Sequence, residues 1–277
     1  MSIVDRLKTV DRRIIFAAIS LAVIIPLLFP IGFPIMVSPP AQGLYDAIEE
    51  LKPGSKVLLS FDYDPSTMPE VYPMNLGVVR HCFSKNIKLV GMGLWPTGVL
   101  LGQEAFELLA EEYGKTYGED YVNLGFKAGG IVVISAMAEN IPETFPEDYA
   151  GTSIEEFPIM EGVKNFDSFG LAVCFSAGDP GVREWVMIAH SRCGKKVGAC
   201  ITAVMAPAYY PYLQAGQLVG LLGGMKGAAE YETLLKFKGT GSAGMDAQSI
   251  AHSLIIVFII FGNVIYFIAR RKERKKV

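Results

Sequence analysis

Three aspartates that follow apolar runs are the residues in this sequence best suited to chemistry. Asp62 and Asp64 lie in SFDYDPST, and Asp179 lies in SAGDPG. Carboxylate oxygens are the ligands that hard cations such as Mg²⁺ prefer in proteins. If the three loops converge, we expect these aspartates to be candidate ligands of Mg²⁺. Asp62 and Asp64 are then also the candidate catalytic residues.

This pattern resembles the motif set of the haloacid-dehalogenase phosphatases. In that family a strand ends in Asp-x-Asp, whose first carboxylate is the nucleophile and whose second is the acid/base. A second strand ends in Thr or Ser, and a later Gly-Asp segment binds magnesium. Asp62, Asp64, Thr97 and Asp179 would take those places, so the resemblance implies a magnesium-dependent phosphohydrolase. The sequence departs from the pattern at Pro65, which directly follows the aspartate pair.

Two other interpretations of the same residues remain open. Aspartates in loops commonly stabilise turns and cap helices without any chemistry. Alternatively, Asp62, Asp64, Trp95, Thr97 and Asp179 line a pocket that senses a small ligand. None of the motifs GxSxG, HExxH and GxxxxGK[ST] occurs in the chain. The sequence therefore favours a non-catalytic protein without excluding an enzyme.

The elements that position these residues are predicted from alternating apolar runs and helical segments. Strands are predicted at 56–64, 87–94, 169–177 and 196–206, and residues 121–140 contain either a further strand or the start of a helix. Strands that are apolar throughout are typical of a parallel sheet buried on both faces. We predict a doubly wound α/β domain with a mainly parallel sheet, similar to Rossmann and flavodoxin-like domains and to one lobe of a type I periplasmic binding protein. Ligands of such sheets bind outside the carboxyl ends of the strands.

A glycine-rich stretch is predicted to lie in a last helix, residues 210–235. Glycine in a helix costs about 1 kcal/mol relative to alanine, so the close approach of another backbone is expected to compensate. That backbone belongs to the domain's own sheet, or to a neighbouring subunit or membrane partner, and a phosphate-binding loop is the remaining alternative. The candidate interface residues are Gly216, Gly220, Gly223, Gly224 and Gly227.

Two apolar segments, residues 14–36 and 249–269, are long enough to be transmembrane helices. They divide the chain into a tail at 1–13, a domain at 37–235, a Gly-rich flexible tether at 236–248 and a tail at 270–277. Lysine and arginine near span ends mark the cytoplasmic side. The basic residues beside the spans are Arg6, Lys8, Arg12, Arg13, Arg270, Arg271, Lys272, Arg274, Lys275 and Lys276.

This charge distribution predicts a two-pass protein of the cell membrane with both termini in the cytoplasm and an extracytoplasmic domain. Between the spans lie 15 of the 25 basic residues and 25 of the 28 acidic ones. A domain with this acidic excess is unsuited to binding nucleic acid. Cys82, Cys174, Cys193 and Cys200 are expected to be buried thiols, with one disulfide left as an alternative.

The leading hypothesis is therefore a membrane-anchored, non-catalytic subunit. Its partners are the lipid bilayer together with either further copies of itself or other membrane-protein subunits. The phosphohydrolase and the ligand-sensing domain are the alternatives.

Overall fold

The computed structural model describes residues 11–274. The chain divides into a compact α/β unit, Ile35–Gly241, and a helical unit formed by the segments on either side of it. All four cysteines are free thiols, and Cys193 alone among them is partly exposed.

The α/β unit contains a six-stranded sheet in which every strand pairs in parallel, in the order β3-β2-β1-β4-β5-β6. This order and the helices on its two faces make the domain a Rossmann-like α/β fold, so the predicted fold class is confirmed at that level. The strands are β1 (Lys56–Asp62), β2 (Lys88–Gly93), β3 (Tyr121–Phe126), β4 (Leu171–Ser176), β5 (Val197–Ile201) and β6 (Gly220–Gly223).

Ten helices accompany the sheet in the described part of the chain. They are α1 (Arg12–Leu28), α2 (Pro39–Glu49), α3 (Met68–Ser84), α4 (Pro96–Tyr113), α5 (Ile131–Glu139), α6 (Ile141–Thr144), α7 (Val182–Trp185), which continues as a π-helix over Val186–Arg192, α8 (Ala206–Gln214), α9 (Gly224–Leu234) and α10 (Thr240–Arg274). Helices α2, α3, α4 and α9 contribute to the core on one face of the sheet. Helices α5 to α8 contribute to the core on the other face.

The segment predicted as one glycine-rich helix is instead helix α8, strand β6 and helix α9. Four of the five glycines pack against the domain itself. Gly220 lies against Leu44 of α2, Gly223 against Ala206, Gly224 against Ala203, and Gly227 against Leu222. These contacts place the close approach of the backbones within the domain, and an interface formed by these glycines with a second subunit stays a prediction. Gly216 is exposed in the turn before β6.

The acidic stretch between α5 and β4 is folded onto the second face of the sheet. It forms α6 and three short 3₁₀ turns (Ile154–Glu156, Pro158–Met160 and Phe166–Ser168). Its apolar side chains are buried in the core there, among them Ile154, Ile159 and Val163. The charged residues of the stretch therefore sit on a packed segment and not on an open loop.

One helix in the described part of the chain, α10, is long and apolar enough to cross a membrane by length and composition. The first predicted span, 14–36, needs correction, because α1 ends at Leu28 and no helix follows until Pro39. Pro30 and Pro34 supply no backbone donors in that gap. Helix α10 begins at Thr240, so most of the predicted flexible tether is helical. The predicted tails extend into residues 1–10 and 275–277, which lie outside the described residues.

Replacing Gly220 with alanine tests the packing of α2 on β6. A Cβ at Gly220 would lie 2.2 Å from the backbone nitrogen of Leu44. We expect Gly220→Ala to lower the free energy of unfolding by about 1–3 kcal/mol, the usual range for overpacking. Gly262→Ala is the control, since a Cβ there meets nothing within 4 Å. Equal melting temperatures for the two variants would contradict the close approach.

Candidate functional site

The sheet provides one place where a ligand of a Rossmann-like domain is expected. Strands β1 and β4 are neighbours, yet α3, which follows β1, and α7, which follows β4, pack on opposite faces. The crevice at such a switch point, outside the carboxyl ends of the strands, is the usual binding position. The strand-end site is defined here as the five residues predicted from the sequence: Asp62, Asp64, Trp95, Thr97 and Asp179.

Asp62 ends β1, and its side chain is completely buried. One carboxylate oxygen accepts the backbone N–H of Leu94 at 2.7 Å. The other accepts the hydroxyl of Ser60 at 2.7 Å and the thiol of Cys174 at 3.3 Å. These donors come from β1, β4 and the residue after β2, so Asp62 joins the ends of three neighbouring strands.

Burial raises the pKa of Asp62 to about 6, while the bonds from Leu94, Ser60 and Cys174 act in the opposite direction. Trp185 also lies near enough to lower this pKa, although its indole nitrogen makes no hydrogen bond of normal geometry. Asp62 is thus a carboxyl group that titrates near neutrality, but it is enclosed by protein.

Asp64 forms hydrogen bonds within the turn that leads into α3. Its Oδ1 accepts bonds from the hydroxyl and the backbone N–H of Ser66, at 2.7 and 2.9 Å, and from the N–H of Thr67 at 3.2 Å. These bonds, with that of the Ser66 hydroxyl the strongest, lower the pKa of Asp64. The N–H groups before this helix, where a nucleotide phosphate binds in many Rossmann folds, are therefore already bound to a carboxylate.

The side chain of Trp95 links the segment after β2 to the segment after β4. Its indole N–H donates to the carbonyl of Pro180 at 3.0 Å, and its ring lies against Gly178. Because β2 and β4 flank β1, this bond passes over the end of β1. Thr97 is exposed at the start of α4, and its hydroxyl donates to the carbonyl of Tyr63 at 3.4 Å.

The structure brings some of the predicted residues together, but not as metal ligands. The carboxylate of Asp62 is bound inside the core, that of Asp64 is bound within its own turn, and Asp179 is exposed to solvent. Among the described residues, no group of three or more His, Cys, Asp or Glu side chains could hold a metal ion. Asp62, Asp64 and Asp179 therefore do not form such a group, and the expected Mg²⁺ site stays a prediction.

Several residues that contact Asp62 and Trp95 were not predicted. Ser60 could have been found, because residues two apart in a strand share a face. Cys174 could not, since its approach to Asp62 depends on the pairing of β1 with β4. Trp185 and Pro180 lie 123 and 85 residues from Asp62 and Trp95 respectively, so no local pattern links them.

Comparison of the chain with protein-family models, with curated protein sequences and with solved structures finds no match. The class of the domain therefore rests on its own strand order and helix placement. Rossmann-like folds carry many unrelated activities, so the function is inferred from the site and the surface.

Asp62→Asn tests the buried carboxyl. The unfolded chain releases this proton near pH 3.8 and the folded protein near pH 6, so its contribution to stability falls as the pH rises between these values and is constant above them. Asparagine carries no charge, its Oδ1 can accept the N–H of Leu94, and its Nδ2 can donate to the Ser60 hydroxyl. We expect the variant to gain up to about 3 kcal/mol over the wild type at pH 8 and to gain little at pH 4.

Urea unfolding of the two full-length proteins at several pH values measures this difference. A gain that stays the same from pH 4 to pH 8 would contradict the assignment of a raised pKa to Asp62.

Proposed function

We propose that this protein is a membrane-anchored, non-catalytic subunit whose α/β domain mediates assembly with further copies of itself or with other membrane proteins. The observation that carries the proposal is that the polar groups of the strand-end site are bound to other groups of the same chain. The crevice that would admit a substrate is bridged by Trp95 and Pro180, and the carboxylates of Asp62 and Asp64 bind groups of the same chain. An enzyme of this fold needs reactive groups that a substrate can reach.

Helix α10 supports anchoring in a membrane. Only 6% of its most apolar stretch is buried, and aliphatic and aromatic side chains such as Ile256, Ile260 and Phe267 are more than half exposed. Apolar surface of this extent is stable in lipid or against other apolar helices.

A two-pass arrangement is supported by the helical unit. Helix α1 has 17 residues, about 26 Å at the usual rise and near the lower limit for a span. Its more buried residues recur every three or four positions, and those of α10 do so over much of its length, as expected for helices that pack along one face. They are Ile15, Ala18, Ile19, Ala22, Val23 and Pro26 in α1, and Ala251, Leu254, Phe258, Ile265 and Ala269 in α10.

A buried carboxylate joins the segment after α1 to α10. Asp246, which is 1% exposed, accepts the backbone N–H groups of Gly32 and Phe33 at 2.6 and 3.0 Å. These bonds satisfy donors in the proline-containing segment that forms no helix. They support α1 and α10 as a helical pair. Arg12 and Arg13 lie at the start of α1, and Arg270 and Arg271 lie near the end of α10, so the charge rule supports a cytoplasmic location for both chain ends.

The strongest candidate for an assembly surface is a groove of about 550 Å³ along α5 and α6. Its lining combines the apolar residues Val132, Val133 and Ala136 with the charged residues Lys127, Glu139 and Glu143. Val132 is 69% exposed although it lies in a helix of the α/β unit. An apolar groove with charged residues around it is typical of a protein contact surface.

Val132→Asp tests the groove, with Val204→Asp as the matched control. Val204 is 87% exposed in the loop after β5, so both changes place a charge on the surface and should leave the melting temperature unchanged. We expect native mass spectrometry in mild detergent to show a complex of the wild-type protein, alone or with co-purified subunits. Val132→Asp should shift it toward the free subunit, and Val204→Asp should not. A strictly monomeric wild type without partners would contradict the proposal.

Sidedness is tested with protease-cleavable tags fused before α1 and after α10. We expect both tags to resist protease added to intact cells, because the basic residues beside the helices retain both ends in the cytoplasm. The same tags should be digested after detergent is added. Digestion of either tag in intact cells would rule out this topology.

A further inference from the structure

His81 is the meeting point of three helices on the first face of the sheet. The residue lies in α3 and is 1% exposed. Its Nδ1 lies 2.7 Å from the hydroxyl of Tyr231 in α9, and its Nε2 lies 2.9 Å from a carboxylate oxygen of Glu49 in α2. The ring also stacks on Tyr45 of α2, with ring centroids 4.6 Å apart.

This geometry suits the neutral imidazole. Nε2–H donates to Glu49, and Nδ1 accepts the hydroxyl proton of Tyr231, so both ring nitrogens of His81 have a hydrogen-bond partner. A proton added to Nδ1 would force the Tyr231 hydroxyl to turn, and its hydrogen would then need another acceptor in a fully buried position. Placing a charge there also costs solvation, and burial lowers the pKa of His81.

The groups that face His81 shift its pKa in both directions. Glu49 favours the protonated ring, whereas Lys85, which binds the other oxygen of Glu49 at 2.7 Å, disfavours it. Tyr45 and Tyr231 are uncharged, and burial raises the pKa of each phenol. Burial of the ring outweighs the favourable effect of Glu49, so the closed arrangement binds the proton less tightly than a hydrated imidazole does.

The two helices that His81 joins to α3 are the first and the last of the α/β unit. We propose that Glu49, His81 and Tyr231 form an acid-sensitive contact that holds α2 and α9 against α3 while His81 is neutral and weakens when the surroundings become acidic. The proton is taken up in the open arrangement, where the imidazole is hydrated and titrates near pH 6.5. Acidification below this value therefore increases the open population.

The pH window separates this effect from that of Glu49. The bonds from Lys85 and His81 lower the pKa of Glu49 to about 2, so its contribution is lost only below about pH 4.5. Asp62 titrates in the same window as His81 but with the opposite sign, since its pKa is raised in the folded protein. The His81 contact is therefore measured in protein that carries Asp62→Asn, in which Asp62 no longer contributes to the pH dependence.

Hydrogen exchange of the full-length protein in detergent micelles provides the test. After correction for intrinsic rates, we expect opening of α2 and α9 to increase by up to about tenfold per pH unit from pH 6.5 downward, while amides of the central strands change less. His81→Phe keeps a ring beside Tyr45 but cannot titrate. It should lower the protection of α2 and α9 at every pH and abolish its pH dependence. An equal pH response with and without His81 would overturn the proposal.

A second measurement does not depend on how well His81→Phe folds. The chain has three histidines, so His190→Gln together with His252→Gln leaves His81 as the only imidazole signal in an NMR titration. We expect its midpoint below pH 6.5, and lower still in Glu49→Gln, which keeps an acceptor but removes the charge. A midpoint at or above pH 6.5 would show that the folded protein accepts the proton, and the contact would not be acid-sensitive.

Discussion

The structure depends on covering both faces of a six-stranded parallel sheet. Helices α3 and α4 follow β1 and β2 on one face, and α5 to α8 cover the other. The face over β5 and β6 is completed by α2 and α9. Helix α2 can lie on β6 because Gly43 and Gly220 let the two backbones meet, where a Cβ would collide with Val219 or Leu44. The glycines are thus a requirement of the core.

The same arrangement explains why a Rossmann-like order does not bring the expected chemistry with it. Strand order determines where a crevice can form, but the side chains at the strand ends determine whether it is open. In this chain Asp64 occupies the N–H groups before α3, and Trp95 reaches across to Pro180. The assembly proposed above rests instead on the groove along α5 and α6, whose lining combines apolar and charged side chains.

The sequence predicts the elements whose signal is local. Strands β1, β2, β4 and β5 are apolar runs of ordinary length, and the aspartate ending β1 was found for that reason. Strand β6 was missed because its four residues, Gly-Leu-Leu-Gly, lie inside a stretch of helical length. The bounds of the first span follow hydropathy and are too long, whereas Pro26, Pro30 and Pro34 indicate a kinked or unwound outer end, and α1 ends at Leu28. The direction of the Asp62 side chain and the partners of His81 depend on tertiary contacts, and Tyr231 lies 150 residues from His81.

Two buried groups, Asp62 and His81, connect the fold to the acidity of its surroundings in opposite ways. The folded state holds the proton of Asp62 more tightly than the unfolded state does, so acidification toward pH 4 stabilises the sheet. The folded state binds a proton at His81 less tightly than a hydrated imidazole does, so the same acidification favours release of α2 and α9. Because the two effects have opposite signs, acidification can change the local opening of α2 and α9 without an equal change in the global free energy of unfolding. The strand ends then remain fixed while α2 and α9, the first and last helices of the α/β unit, respond to pH.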